Sequence, residues 1–96
     1  MKQISGNITS EYILYQNYPN PFNPSTTIRY SISRTVFVKL AVYDLMGREV
    51  NILVKEKQSA GTYEAVWLAT NFPSGVYFYR IKAGDYSETK RLILLK

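Results

Sequence analysis

The sequence predicts an all-β fold, a sandwich or barrel of about seven short strands. Three observations carry that expectation. Apolar and polar residues alternate with period two through several runs, and turn residues recur between those runs. Nine tyrosines, four phenylalanines and one tryptophan in 96 residues supply the aromatic side chains that fit a pleated, half-buried sheet surface. A chain of this length builds a single domain and buries only roughly 60–65% of the surface its unfolded form exposes.

Residues Met1 to Ser10 match no pattern and read as a linker, so the division is residues 1–14 for a leading segment with a weak first strand and 15–96 for the domain. Met1 to Glu11 has one lysine but lacks the apolar core of about 7–15 residues that a secretory signal peptide requires. If the domain is exported, that signal belongs to the other end of a longer precursor. Tyr12 to Gln16 is the weak first strand. Then Tyr18-Pro19-Asn20-Pro21-Phe22-Asn23-Pro24 places three of the four prolines in seven residues. Each proline lacks an N–H and fixes φ near about −65°, so the segment is extended or turned and cannot be a central strand. Asn20 and Asn23 each precede a proline, which drives them from the helical region and suits their side chains to Asx-type turns.

Thr26 to Ser33 alternates cleanly, with Ile28, Tyr30 and Ile32 on one face; Arg34-Thr35 is the turn after it. Val36 to Tyr43 sets Val38, Leu40 and Val42 against Phe37, Lys39 and Ala41, and is expected to cross the core. In Asp44-Leu45-Met46-Gly47-Arg48, Asp44 is suited to bond the backbone and Gly47 to take positive φ. A metal role for Asp44 is disfavoured, since only Glu49 stands nearby and calcium needs about 6–8 oxygens. Val50 to Val54 continues the sheet, Lys55 to Gly61 reads as a polar loop closed by Ala60-Gly61, and Tyr63, Ala65 and Trp67 form the next inward row. Asn71 to Gly75 punctuates the chain before its strongest strand, Val76 to Ala83, whose Tyr77, Tyr79 and Ile81 are expected to face the core. Gly84-Asp85 is a tight hairpin signal, and Tyr86 to Lys96 is the last strand. Gly75 and Gly84 are expected to have positive φ or close packing. Tyr30, Val38, Leu40, Val42, Trp67, Tyr79 and Ile81 are the expected core.

Several function classes are excluded or disfavoured. There is no cysteine and no histidine, and Glu11, Asp44, Glu49, Glu56, Glu64, Asp85 and Glu88 fall in turns, loops or exposed faces with no spacing that supports paired-carboxylate or Ser–Lys catalysis. No catalytic residue, cofactor site or metal site is therefore assigned. The net charge of +5 raises nucleic acid, but Lys39, Arg48, Lys55, Lys57, Arg80 and Lys82 are spread along the chain and interrupted by acids, with no accompanying recognition motif. No stretch approaches the roughly 18–20 apolar residues of a membrane helix. Sugar binding through exposed aromatics is the principal rival reading, as a structural or carbohydrate-binding module of an extracellular protein. Most of the rings, however, fall on rows expected to face the core.

With the strands laid out, Asn20-Pro21-Phe22-Asn23-Pro24 followed by Ser25 to Tyr30 resembles the opening of the type A C-terminal sorting domains of the type IX (Por) secretion system of Bacteroidetes-like bacteria. Val42-Tyr43-Asp44-Leu45-Met46-Gly47-Arg48-Glu49-Val50 resembles the family's middle motif. Ala60-Gly61-Thr62-Tyr63 and Ser74-Gly75-Val76-Tyr77-Phe78-Tyr79-Arg80 resemble its later glycine-centred blocks, and Thr89-Lys90-Arg91-Leu92-Ile93-Leu94-Leu95-Lys96 its terminal motif. The resemblance runs from about Tyr15 to Lys96. It implies an immunoglobulin-like antiparallel β-sandwich that follows an N-terminal passenger, is read in the periplasm by the type IX translocon, and directs the passenger to the cell surface or medium, commonly with removal by a sortase-like peptidase. No passenger is present in this sequence. A looser resemblance connects the Val42-Tyr43-Asp44 and Gly75-Val76-Tyr77 strands to the immunoglobulin-like domain of flagellar hook-capping proteins.

Within that resemblance, Lys90, Arg91, Leu92, Ile93, Leu94, Leu95 and Lys96 are the expected translocon-recognition residues. Pro19, Asn20, Pro21, Phe22, Asn23, Pro24, Tyr43, Asp44, Gly47, Gly61, Gly75, Tyr77 and Gly84 are structural signatures. Leu92 to Leu95 is apolar on both faces, which exceeds what a strand with one solvated face requires. Either both faces are covered, or one face or the strand edge is kept for the secretion machinery or for self-association.

Overall fold

The structure, a computed structural model, describes residues 1–5 and 11–96. Among the described residues eight strands follow one another: β1 (Lys2–Ser5), β2 (Ile13–Leu14), β3 (Ser25–Ile32), β4 (Val36–Tyr43), β5 (Glu49–Gln58), β6 (Gly61–Leu68), β7 (Gly75–Ala83) and β8 (Tyr86–Leu94). They form two four-stranded sheets, β1-β6-β3-β2 and β5-β4-β7-β8, and every pairing is antiparallel. The expected all-β sandwich is the observed fold.

Period-two alternation does the sorting. Ile28, Tyr30 and Ile32 of β3 and Tyr63, Ala65 and Trp67 of β6 line one inner face. Val38, Leu40 and Val42 of β4, Tyr77, Tyr79 and Ile81 of β7, and Leu92 and Leu94 of β8 line the other. All are buried, and the sandwich fills the space between sheets with interdigitated side chains. Tyr30 stacks on Tyr63 with ring centroids 5.5 Å apart, and its hydroxyl donates to Gln58 Oε1 at 2.7 Å. Burial pushes the Tyr30 phenol well above its ordinary range.

The strand map departs from expectation in three places. Lys2–Ser5, read as linker, pairs with β6, so the first sheet gains an edge strand. The expected first strand is shorter: within Tyr12 to Gln16, Ile13–Leu14 pairs with Ser31 and Tyr30. Lys55 to Gln58, read as polar loop, continues β5, with Lys57 opposite Phe37 and Lys55 opposite Lys39. Composition hid that strand. Lys55 to Gln58 pairs in regular register with Val36 to Lys39 at the sheet edge, but Glu56 and Gln58, on the row opposite Val38 and Val36, are as polar as Lys55 and Lys57, so no alternation shows; the register shifts of β5 lie earlier, at Leu53 and Val50. The turn into β6 is therefore Ser59-Ala60, and Gly61 opens the strand instead of closing a loop.

Candidate functional site

β8 is an outer strand of the second sheet, and its free side would present unpaired N–H and C=O groups. Over Arg91 to Leu95 those groups are taken by the proline-rich lead-in, which runs beside β8 as a strap. Phe22 N–H donates to Ile93 O, and Leu95 N–H donates to Phe22 O, each at 3.0 Å, forming a parallel bridge between Phe22 and Leu94. Asn20 Oδ1 accepts from Ile93 N at 3.0 Å, and Gln16 Nε2 donates to Arg91 O at 2.9 Å. Of the two readings of the tail, covered or kept open at its edge, the strap covers the edge over Arg91 to Leu95. Asn20 serves it across the sandwich rather than closing a local Asx turn.

Prolines cannot donate, so side chains and a few non-proline amides hold the strap. Tyr18 exchanges two backbone bonds with Thr27 of β3, at 2.9 and 3.0 Å. Asn17 is buried: its N–H donates to the Tyr79 hydroxyl at 2.9 Å, and its Nδ2 donates to Thr26 Oγ1 at 2.9 Å and to Pro19 O at 3.2 Å. Thr26 Oγ1 also donates to Pro19 O, and the Tyr79 hydroxyl donates to Tyr15 O at 2.7 Å. Burial raises the Tyr79 phenol to about 12, although the Asn17 N–H pulls the other way. Gln16, Asn17, Thr26 and the Tyr79 hydroxyl were not singled out in the sequence. The available signal was an amide pair placed directly before a segment that lacks donors.

Phe22 anchors the strap in the core. Its ring is buried and lies 5.6 Å from Trp67, which also contacts Phe72 at 5.3 Å and Tyr77 at 5.2 Å. Tyr77 closes that end by donating to Pro73 O at 2.6 Å. Pro19, Asn20, Pro21 and Asn23 are exposed along the strap, and Pro24 O accepts from Ala69 N.

The tail divides by parity. Leu92 and Leu94 are fully buried, Ile93 is half-buried, and Arg91, Leu95 and Lys96 are exposed. Lys90 lies 3.4 Å from Glu88, and the Lys96 ammonium donates to Thr70 O at 2.5 Å while its N–H donates to Ser74 Oγ at 2.9 Å. The strap, the tail and the loop from Ala69 to Gly75 therefore form one end of the sandwich, with Leu95 exposed upon it.

The remaining signature residues lie elsewhere in the sandwich. Asp44 organises the β4–β5 turn by accepting from Met46 N at 2.9 Å and Arg48 N at 3.0 Å, with Arg48 Nε 2.9 Å from its second oxygen. Chiefly the Arg48 N–H holds its carboxyl below the usual range. Gly47 completes the turn at φ 82°, and Gly84 completes the β7–β8 hairpin at φ 59°. Gly61 and Gly75 open β6 and β7. Tyr43 lies under Arg80, whose guanidinium stands 4.9 Å from the ring centroid.

A family model described as "Secretion system C-terminal sorting domain" matches residues 16–95, which begins at the first strap donor and ends at the last strap-bonded amide. The chain belongs to that family. This sorting domain is a C-terminal secretion signal of the type IX system, and such a signal implies export to the cell surface or medium. The family acts as a signal rather than a catalyst. No curated protein matches the chain. Among solved structures, the sorting domain is similar to part of PorZ, described as an essential bacterial surface component of the type-IX secretion system of Porphyromonas gingivalis, with TM-score 0.59 and 21% identity over 86% of this chain. The match covers 11% of the PorZ chain, and at that identity it speaks for the fold.

Proposed function

We infer that the type IX machinery reads the strap and the tail as one composite edge. In this reading a passenger on the N-terminal side reaches the periplasm, the translocon engages the sorting domain there, and a sortase-like peptidase then removes it. The observation that carries the reading is the pairing of Asn20 and Phe22 with Ile93 and Leu95, which joins the two ends of the matched span across more than seventy positions. Asn20, Arg91, Leu95 and Lys96 are among the side chains exposed to a partner at this end. A second copy would have to displace the strap to pair with β8 here, so self-association is secondary.

The test is a fluorescent reporter with an inner-membrane signal peptide in front and the sorting domain behind. Export is expected in a strain with an active type IX system and absent from one lacking it. A folded fusion held in the periplasm of both strains overturns the assignment. Deleting Leu92 to Lys96 is a poor probe, since it removes Leu92 and Leu94 from the core. Changes confined to exposed side chains separate recognition from folding.

A further inference from the structure

The outer face of the second sheet carries the whole net charge of the molecule. Cross-strand register and the inward direction of Val38, Leu40 and Val42 place Phe37, Lys39, Ala41 and Tyr43 of β4 on that outer face. Their partners are Lys57, Lys55, Ile52 and Glu49 of β5 and Lys82, Arg80 and Phe78 of β7, followed by Ser87, Thr89 and Arg91 of β8. Six cations therefore share the face with one acid, Glu49, which is 2.7 Å from Lys39. The other six cations and six acids of the chain cancel.

The cations are arranged against stability. Lys55, Lys39 and Lys82 stand directly opposite one another across three strands. Like charges directly opposite, on Cβ atoms about 4.5–5.5 Å apart, are destabilising, which folding alone does not select. Arg80 stands over the Tyr43 ring, 4.9 Å from its centroid, and its Nη2 donates to the Tyr43 hydroxyl at 3.2 Å, which holds the guanidinium beside that ring.

We propose that this face docks on an anionic membrane surface, meeting the phosphates of a lipid headgroup layer. Four of the six cations are lysines, compact charges on flexible stems that suit a fluctuating plane of phosphates. Protein interfaces, in contrast, are depleted of lysine. Phe37, 55% exposed, and Ile52, 40% exposed, supply apolar contact beside Lys57 and Lys55 at the headgroup level. Lys55, Lys39 and Lys82 are neighbours on adjacent strands, and their flexible stems let them reach one surface together, each strengthening binding roughly fivefold near an anionic leaflet.

Cosedimentation of the whole chain with phosphatidylcholine vesicles, with and without phosphatidylglycerol, tests this. Binding is expected only to the anionic vesicles, and is expected to be lost as ionic strength rises from about 0.01 M to about 1 M and the Debye length falls from about 30 Å to about 3 Å. The triple variant Lys39→Gln/Lys55→Gln/Lys82→Gln is expected to bind on the order of 100-fold more weakly with an undiminished melting temperature. Lys2→Gln/Arg29→Gln/Arg34→Gln changes net charge equally but off the face, and is expected to lose less than about fivefold. Equal losses in the two triples, equal binding to neutral vesicles, or no binding at low salt each overturn the proposal. Binding of poly-aspartate or single-stranded DNA by this face, without vesicle binding, overturns the membrane assignment in favour of that partner.

Discussion

Replacing Phe22 by alanine isolates the anchor of the strap, because alanine keeps the backbone N–H and C=O that bridge to Ile93 and Leu95 while removing the ring between the sheets. The ring is 2% exposed and contacts Trp67, itself fully buried. Removing such an aromatic costs about 3–5 kcal/mol, the lost transfer energy plus the cavity left behind. Part of that cost is the tilted aromatic pair, worth about 0.5–1.5 kcal/mol. A domain of this size loses about 4–8 °C of melting temperature per kcal/mol, so a fall of at least about 12 °C is expected in thermal melts followed by circular dichroism. Amide exchange supplies the local readout: the Ile93 and Leu95 N–H groups, both bonded to the strap, are expected to lose protection before those inside β7. Phe22→Leu, which leaves an apolar branch in the site, is expected to lose roughly half as much or less. A fall below about 4 °C for Phe22→Ala would refute the claim that the ring fastens the strap.

Gly84→Val is expected to weaken the β7–β8 hairpin by at least about 1–2 kcal/mol, the cost of a left-handed conformation for an L-residue. Gly84 has φ 59°, and an added Cβ meets Val36 Cγ1 at 3.4 Å, leaving little room for the valine branches; an unchanged melting temperature would contradict this. Tyr79→Phe removes the acceptor of the buried Asn17 N–H and the donor to Tyr15 O, and is expected to cost about 1–3 kcal/mol in urea unfolding at neutral pH. Because burial raises the Tyr79 phenol from 10 to about 12, its contribution is fully present below pH 10 and is lost as pH rises to about 12. The phenylalanine variant is therefore expected to lose less stability than the parent across that alkaline window, and an equal loss would show that Tyr79 does not carry the linkage.

The sequence exposed what is local and periodic. Tyr30, Val38, Leu40, Val42, Trp67, Tyr79 and Ile81 are all fully buried, because period two assigns a face wherever one side of a strand meets a core. The same rule failed on the second half of β5, where Glu56 and Gln58 make the row opposite Val38 and Val36 as polar as the row of Lys55 and Lys57. Long-range pairings left no trace in a single chain. Nothing near Asn20 indicates that its amide oxygen serves Ile93, so the proline run read correctly as a segment that cannot be a central strand, while the edge it pairs with stayed hidden. The cations show the same limit: Lys39, Lys55, Lys57, Arg80 and Lys82 look scattered along the chain, yet strand register collects them on one face.

The most direct test of the composite edge is export of the reporter fusion carrying Asn20→Ala together with Leu95→Ser. Asn20→Ala removes one exposed hydrogen bond worth about 0.5–1.5 kcal/mol, and Leu95 is 55% exposed, so the sandwich is expected to stay folded, with a melting temperature close to that of the parent. This folded fusion is expected to accumulate in the periplasm while the parent reaches the surface or medium. Export of the double variant at the parental level would contradict it.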